Sequence, residues 1–181
     1  MLTIHHKCTI LLTFAFSFFA NKSTKIMLQL NLPSFDFKIK KNDEKFFIFD
    51  AWRKRYVALT PEEWVRQHFL HFLVNEKQVP MGRISVEKTV MINGMKKRCD
   101  AIIYNQDGNA ISIVELKAPH VVLSQAVCDQ VAIYNSKINV DYFIISNGLE
   151  HHAGMVNKAG KSYIFLPEIP NYKELNETHC S

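Results

Sequence analysis

Residues 96–134 read KKRCDAIIYNQDGNAISIVELKAPHVVLSQAVCDQVAIY, and their reading decides the fold. An apolar run (Ala101, Ile102, Ile103) leads to Asp107-Gly108, and a second run (Ile111, Ile113, Val114, Leu116) stops at Pro119. Asp-Gly between two such runs predicts a β-hairpin, because both turn positions require positive φ. With Asp107 and Gly108 as the loop, opposed positions sum to 215, so Asp100 lies across from Glu115. Glu115 and Lys117 are two residues apart and share one face of the pleat. Two carboxylates this close repel each other unless a proton or a cation intervenes. The apolar neighbours mark the hairpin as core, and charges on a buried strand need a reason.

Working outward, residues 123–136 are expected to be helical, with Val127, Val131 and Tyr134 turned to the core. Residues 141–146 form a nearly continuous apolar strand, as expected where both faces are covered. Strand, helix and strand over 110–146 make a β-α-β crossover, expected to be parallel and right-handed. Upstream, 84–92 and 95–104 flank an Asn93-Gly94 turn, which with 110–117 gives a three-stranded meander. Thr60-Pro61-Glu62-Glu63 starts a helix: Thr60 is the N-cap, Pro61 the first helical residue, and Glu63 completes a capping box. This helix runs to about Asn75 and buries Trp64, Val65, His68, Phe69, Phe72 and Leu73. His68 and His71 have no acidic or cysteine partner at ligand spacing and read as ordinary helix residues. Residues 35–50 look like a hairpin around a polar turn at 41–44. Residues 157–160 turn into a last strand over 162–166, and 171–181 close the chain as a polar tail.

A chain of 181 residues can bury one good core, and 48% hydrophobic against 22% charged residues excludes a disordered protein. The formal net charge is +5, but residues 1–26 hold Lys7, Lys22 and Lys25 and no acid. The remainder carries 19 basic and 17 acidic side chains, so its charge permits nucleic-acid binding without demanding it. Cys8, Cys99, Cys128 and Cys180 form no CxxC pair, and reduced thiols of a cytoplasmic protein are the simpler reading. The apolar run at 8–20 is too short for a comfortable membrane span and has the outline of a signal-peptide core. Against secretion, its basic flank is weak and no small-x-small cleavage site follows. An upstream extension before Met27 is therefore preferred, leaving 27–170 as the folded domain.

The order helix, meander, helix, strand, with Asp100 followed by Glu115-Leu116-Lys117, resembles the PD-(D/E)xK nuclease superfamily. More closely, residues 28–170 resemble the N-terminal nuclease domain of type I restriction enzyme R subunits. Gln130-Val131-Ala132-Ile133-Tyr134 matches the Gln-x-x-x-Tyr element that such nucleases carry on the helix after the Glu-x-Lys strand. The resemblance implies an α/β fold of restriction-endonuclease type, a central mixed sheet with helices on both faces. It implies a deoxyribonuclease whose Asp100, Glu115, Lys117, Gln130 and Tyr134 are catalytic. Asp100, Glu115 and the Leu116 carbonyl would hold Mg²⁺, with Mn²⁺ as a substitute, and Glu63 sits where many members place a further acid. Hard oxygen ligands suit Mg²⁺, which takes one or two carboxylates and keeps several waters. Lys117 would orient the attacking water or help to deprotonate it. Gln130 and Tyr134, four apart, share one helix face.

Two departures limit the transfer. Cys99 stands where the name-giving proline would precede Asp100. The chain also has no GxxxxGK[ST] loop, so the translocating motor of a complete R subunit is not carried over. A nuclease module remains, acting on DNA with separately encoded specificity or motor subunits; a homodimer would suit cleavage of both strands. The basic clusters Arg53-Lys54-Arg55 and Lys96-Lys97-Arg98 are candidates for phosphate contacts, the second being better placed because it enters the strand of Asp100. A solvated loop is the competing reading of the first cluster. Two other readings stay open: a nucleic-acid-binding protein that keeps the fold without the chemistry, and a charged pair at a sheet margin neutralised by Lys117 or Arg98.

Overall fold

The computed structural model of the chain describes residues 27–92, 94–157 and 162–177. In chain order these form strands β1 (Ile39–Asn42), β2 (Lys45–Asp50) and β3 (Arg55–Ala58), then helix α1 (Pro61–Asn75). Strands β4 (Ile84–Ile92), β5 (Met95–Tyr104) and β6 (Ala110–Leu116) follow, then helix α2 (Gln125–Ile138). Strands β7 (Tyr142–Ser146), β8 (His151–Asn157) and β9 (Ser162–Leu166) precede the last helix, α3 (Tyr172–Glu177). The first three strands make a small antiparallel sheet, and β4 to β9 make a six-stranded sheet in sequence order. Only the β6–β7 pair of the large sheet is parallel, joined through α2, so the sheet is mixed as expected.

Alternation along the central strands puts apolar side chains on both faces, so each face needs a cover. On one side Val65, Phe69, Leu70 and Leu73 of α1 pack on Ala101, Ile103, Val114, Leu116 and Ile144. On the other, Val127, Val131 and Tyr134 of α2 pack on Ile102, Ile113, Phe143 and Ile145. Each fully buried side chain of this kind stabilises by roughly 1.5–3 kcal/mol, far above an exposed ion pair. These two clusters hold the hairpin between the helices.

The hairpin turn differs from the expected two-residue loop. Asn105 and Asn109 close it, with the Asn105 N–H donating to the Asn109 carbonyl at 2.9 Å, and Gly108 sits at φ 83°. Three residues therefore form the loop, an arrangement that calls for glycine at its left-handed position. Ile103 pairs with Ser112 and Tyr104 with Ala110, so Ile111 is the extra residue of a bulge. The bulge absorbs the added loop residue. Beyond it Ala101, Ile102 and Ile103 pair with Val114, Ile113 and Ser112, the expected sum of 215.

Other boundaries also shift. The first hairpin starts at Ile39 rather than Phe35, and β3 joins it as a third strand. Strand β8 was not expected at all. Part of the stretch read as a polar tail forms α3, whose Tyr172 and Leu175 enter the α1-side core, with the Tyr172 hydroxyl donating to the Tyr104 carbonyl at 3.0 Å. Residues 1–26, with their apolar run, and most of the 157–160 turn lie outside the described residues.

Candidate active site

Pro119 ends β6 close behind the Glu-x-Lys triplet, yet the Lys117 N–H still donates to the Ser146 carbonyl at 2.9 Å. The ladder to β7 thus fixes the backbone of Glu115, Leu116 and Lys117. Glu115 projects to the α2 side. Its Oε1 lies 2.7 Å from the Lys117 ammonium and accepts from the Gln130 amide at 2.6 Å. Lys117 also donates to the Gln130 carbonyl at 3.1 Å. The Gln130 amide donates further to the Tyr134 hydroxyl at 3.1 Å, which donates to the Arg98 carbonyl at 2.9 Å. Gln130 and Tyr134 share the helix face that their spacing predicted, and the α2 face meets β6 and β5 there.

Asp100 takes a different direction from the one expected. Cys99 belongs to the α2-side cluster and Ala101 to the α1-side cluster, so strict alternation slips at Asp100. On the neighbouring strand Glu87 has φ 52°, and the β4–β5 pairs Val86–Ala101 and Lys88–Cys99 flank an unpaired step. The released Asp100 carboxylate accepts the Leu116 N–H at Oδ2 (2.7 Å) and Arg66 of α1 at Oδ1 (2.5 Å). The two acids are thus not a simple opposed pair on one face. Each has its own cation: Arg66 for Asp100, Lys117 for Glu115.

Arg66 begins a buried ionic chain that sequence reasoning missed. Its guanidinium donates to Glu63 Oε2 at 2.6 Å and to Glu62 at 3.0 Å. Glu63 Oε1 accepts from Arg53 at 2.5 Å and from Gln67 at 2.8 Å. Arg53 also holds Asp50 at 2.6 Å and Glu87 at 3.1 Å, and Gln67 reaches Asp50 at 2.8 Å. The capping box is consequently half made: Thr60 Oγ1 accepts the Glu63 N–H at 3.0 Å, but the Glu63 carboxylate turns to the arginines. Charge-assisted bonds are roughly twice as strong as neutral ones, so the guanidinium partners win over a backbone N–H. The signal available in the sequence was Glu62-Glu63-x-x-Arg66-Gln67, acids and partners at helical spacing.

The electrostatics follow from this geometry. Burial raises the pKa of Glu115, the Asp100 charge raises it further, and Lys117 and Gln130 oppose them only in part, leaving it at about 7. Burial pulls Lys117 down, but the bond to Glu115 and the charges of Glu115, Asp100 and Glu62 outweigh it, so its pKa rises. The ammonium form is thereby favoured, and it can orient a water and stabilise negative charge. Cys99 is pushed up to about 12 by burial and then by Glu115 and Asp100, which makes it an inert thiol.

The resemblance implies a divalent metal, and the donors at the hairpin suit one. Asp100 and Glu115 supply carboxylates, and the Leu116 backbone is held against Asp100. Glu115 Oε2 is buried and without a hydrogen-bond partner, an acceptor available to a cation. Two carboxylates and a carbonyl fit Mg²⁺. Asp100 and Glu63 each have both oxygens engaged, Asp100 by Arg66 and the Leu116 N–H and Glu63 by Arg53, Arg66 and Gln67, so either would exchange a partner on taking the ion. Among the described residues no group of three or more His, Cys, Asp or Glu side chains is placed to share a metal.

The basic clusters separate. Arg53 lies inside the ionic chain, with its side chain 12% exposed, whereas Lys54 and Arg55 are exposed beside it. Lys96 and Lys97 are exposed on β5, and Arg98 is exposed while lying 3.4 Å from Glu87. His68 and His71 stay in an aromatic cluster with Phe35, Phe37 and Trp64, and burial lowers the pKa of each.

Residues 61–170 match the family described as type I restriction enzyme R protein N terminus. Among solved structures, a fragment of a candidate HsdR subunit of a type I restriction enzyme from Vibrio vulnificus YJ016 superposes with a TM-score of 0.51 at 18% identity. The match covers 66% of this chain and 25% of that one, so this chain spans about a quarter of its neighbour's length. At that identity the likeness shows a shared, restriction-endonuclease-like fold. A comparison with curated proteins finds no significant match.

Proposed function

The chain belongs to the family of type I restriction enzyme R protein N termini, and on that premise we propose that it is a Mg²⁺-dependent DNA endonuclease module. One observation carries the reading. Lys117 and Gln130 converge on a single buried oxygen of Glu115, within 3.1 Å of one another, at a strand end that also presents Asp100. Phosphodiester hydrolysis needs a positioned water, neutralisation of the phosphoryl oxygens and help for the departing oxygen. Asp100, Glu115 and the Leu116 carbonyl would hold the metal, which would supply charge neutralisation and a more acidic water. Lys117 adds a fixed positive charge beside the phosphoryl group. Gln130 and Tyr134 hold Glu115 and Lys117 in place, and Lys96, Lys97 and Arg98 lie on the strand that enters the site, where they suit DNA phosphates. Separate specificity and motor subunits are the partners this reading asks for, and Mn²⁺ is expected to replace Mg²⁺.

A second reading, DNA binding without cleavage, is favoured by one contact: Arg66 already neutralises Asp100. The discriminating experiment is nicking of supercoiled plasmid by the full chain with Mg²⁺, Mn²⁺ or EDTA, beside Lys117→Ala. Metal-dependent nicking that is lost in the variant supports the nuclease. Plasmid binding with no nicking under any metal overturns it in favour of the second reading.

A further inference from the structure

The small sheet has an inner and an outer face. Along β2 the inner residues are Ile48 and Asp50, both fully buried, the latter bound by Arg53. The outer residues are Lys45, Phe47 and Phe49. The register sets Lys40 opposite Phe47 and Tyr56 opposite Phe49, and the Phe49 N–H donates to the Lys38 carbonyl at 2.9 Å. Three lysines and three aromatic rings therefore share one face. The Lys40 ammonium lies 4.2 Å from the centre of the Tyr56 ring and 5.9 Å from that of Phe47. Lys38 lies 5.9 Å from the centre of Phe49, whose ring meets Tyr56 edge to face at 5.4 Å. Within the strands no acid points outward on this face; Asp43 and Glu44 lie at the β1–β2 turn. Lys54, exposed, adds positive charge at the β2–β3 connection, whereas Arg55, paired with Asp50, belongs to the inner face.

We propose that this outer face is a binding platform for single-stranded DNA, distinct from the hairpin site. Cations alone would suit any phosphate backbone, but rings set among cations suit a strand whose bases are free to stack. A duplex hides those base faces and offers the sheet only phosphates. Lys38, Lys40 and Lys45 meet the backbone, and Tyr56, with Phe47 and Phe49 beside it, meets the bases once the lysine heads move to phosphate. The surface does not depend on the metal site, and its occupancy is read without cleavage.

The test is fluorescence anisotropy of the full chain in EDTA, with labelled oligothymidine about 20 nucleotides long and a duplex of equal length. The single strand is expected to bind more tightly than the duplex. The Lys38→Gln/Lys40→Gln pair should weaken binding and reduce the salt dependence of log K by about 1.4, at about 0.7 per lost phosphate contact. Tyr56→Leu should weaken the single strand by about tenfold and leave the duplex unchanged. Thermal melting confirms that these exposed substitutions leave the fold intact, and Lys137→Gln, at the exposed end of α2, serves as the comparison outside the platform and the hairpin site. A duplex bound as tightly as the single strand, or variants that bind like the parent, overturns the proposal whether or not the chain cleaves DNA.

Discussion

Glu115 is a carboxyl group whose protonation the fold raises to the neutral range. Burial and then Asp100 lift its pKa to about 7, above the ordinary 4.5, despite the lysine beside it. Between those values the folded state holds more proton than the unfolded chain, so this group makes stability fall as pH rises from about 4.5 to 7. Glu115→Gln is expected to flatten that fall, on the order of 3 kcal/mol, in urea denaturation at pH 5 and pH 8. Lys117→Ala should abolish nicking while melting close to the parent, because the carboxyl group left behind can protonate. Asp100 also secures Arg66 and the Leu116 N–H. Asp100→Ala is therefore expected to cost stability as well, and Asp100→Asn, which keeps an acceptor for Leu116, is the cleaner probe of cleavage. Arg66→Met should destabilise by about 3–5 kcal/mol by leaving buried carboxylates unpaired. Glu115 and Lys117 were legible from their two-residue spacing on one strand face, whereas Gln130 and Tyr134 came from the resemblance, their four-residue spacing giving only a shared helix face. Arg66 and Asp100 are 34 residues apart on different elements, and no periodicity announces such a pair.

Strand β8 explains why one element escaped the sequence. His151, His152 and Gly154 give it neither a clean apolar alternation nor β-branched density, and its place is set by its neighbours. Gly154 lies opposite Phe143, and a Cβ added there would stand 2.3 Å from the Phe143 ring. The ring fills the space a side chain would need. Gly154→Ala is expected to destabilise by about 1–3 kcal/mol in thermal or urea unfolding. The double variant with Phe143→Leu should recover part of that loss, since contacting residues are coupled. The hairpin turn teaches the complementary lesson. Asp107-Gly108 located it correctly, but the loop has three residues, and the bulge at Ile111 restores the register by which the strands meet.

Across the whole molecule, helices on both faces and a mixed sheet were legible because apolar runs on 101–116 and 142–146 demand two covers. The end of the chain was not. Helix α3 has only Tyr172 and Leu175 turned inward, too few for a period to show, yet Leu175 is fully buried. Leu175→Ala is expected to cost about 2–5 kcal/mol by calorimetry, a value no solvated tail could give. No helix among the described residues is long and apolar enough to cross a membrane. The large sheet runs β4 to β9 in chain order, and that order bears on how quickly the fold is reached. Four of its five strand pairings close over short connections, and only β6–β7 waits for an intervening helix, so sequence separation concentrates the slow step at α2. The β4–β5–β6 meander is expected to zip first, bringing Asp100 and Glu115 together before Gln130 arrives. In stopped-flow refolding, Ile102→Val should slow folding, whereas Val131→Ala should chiefly speed unfolding.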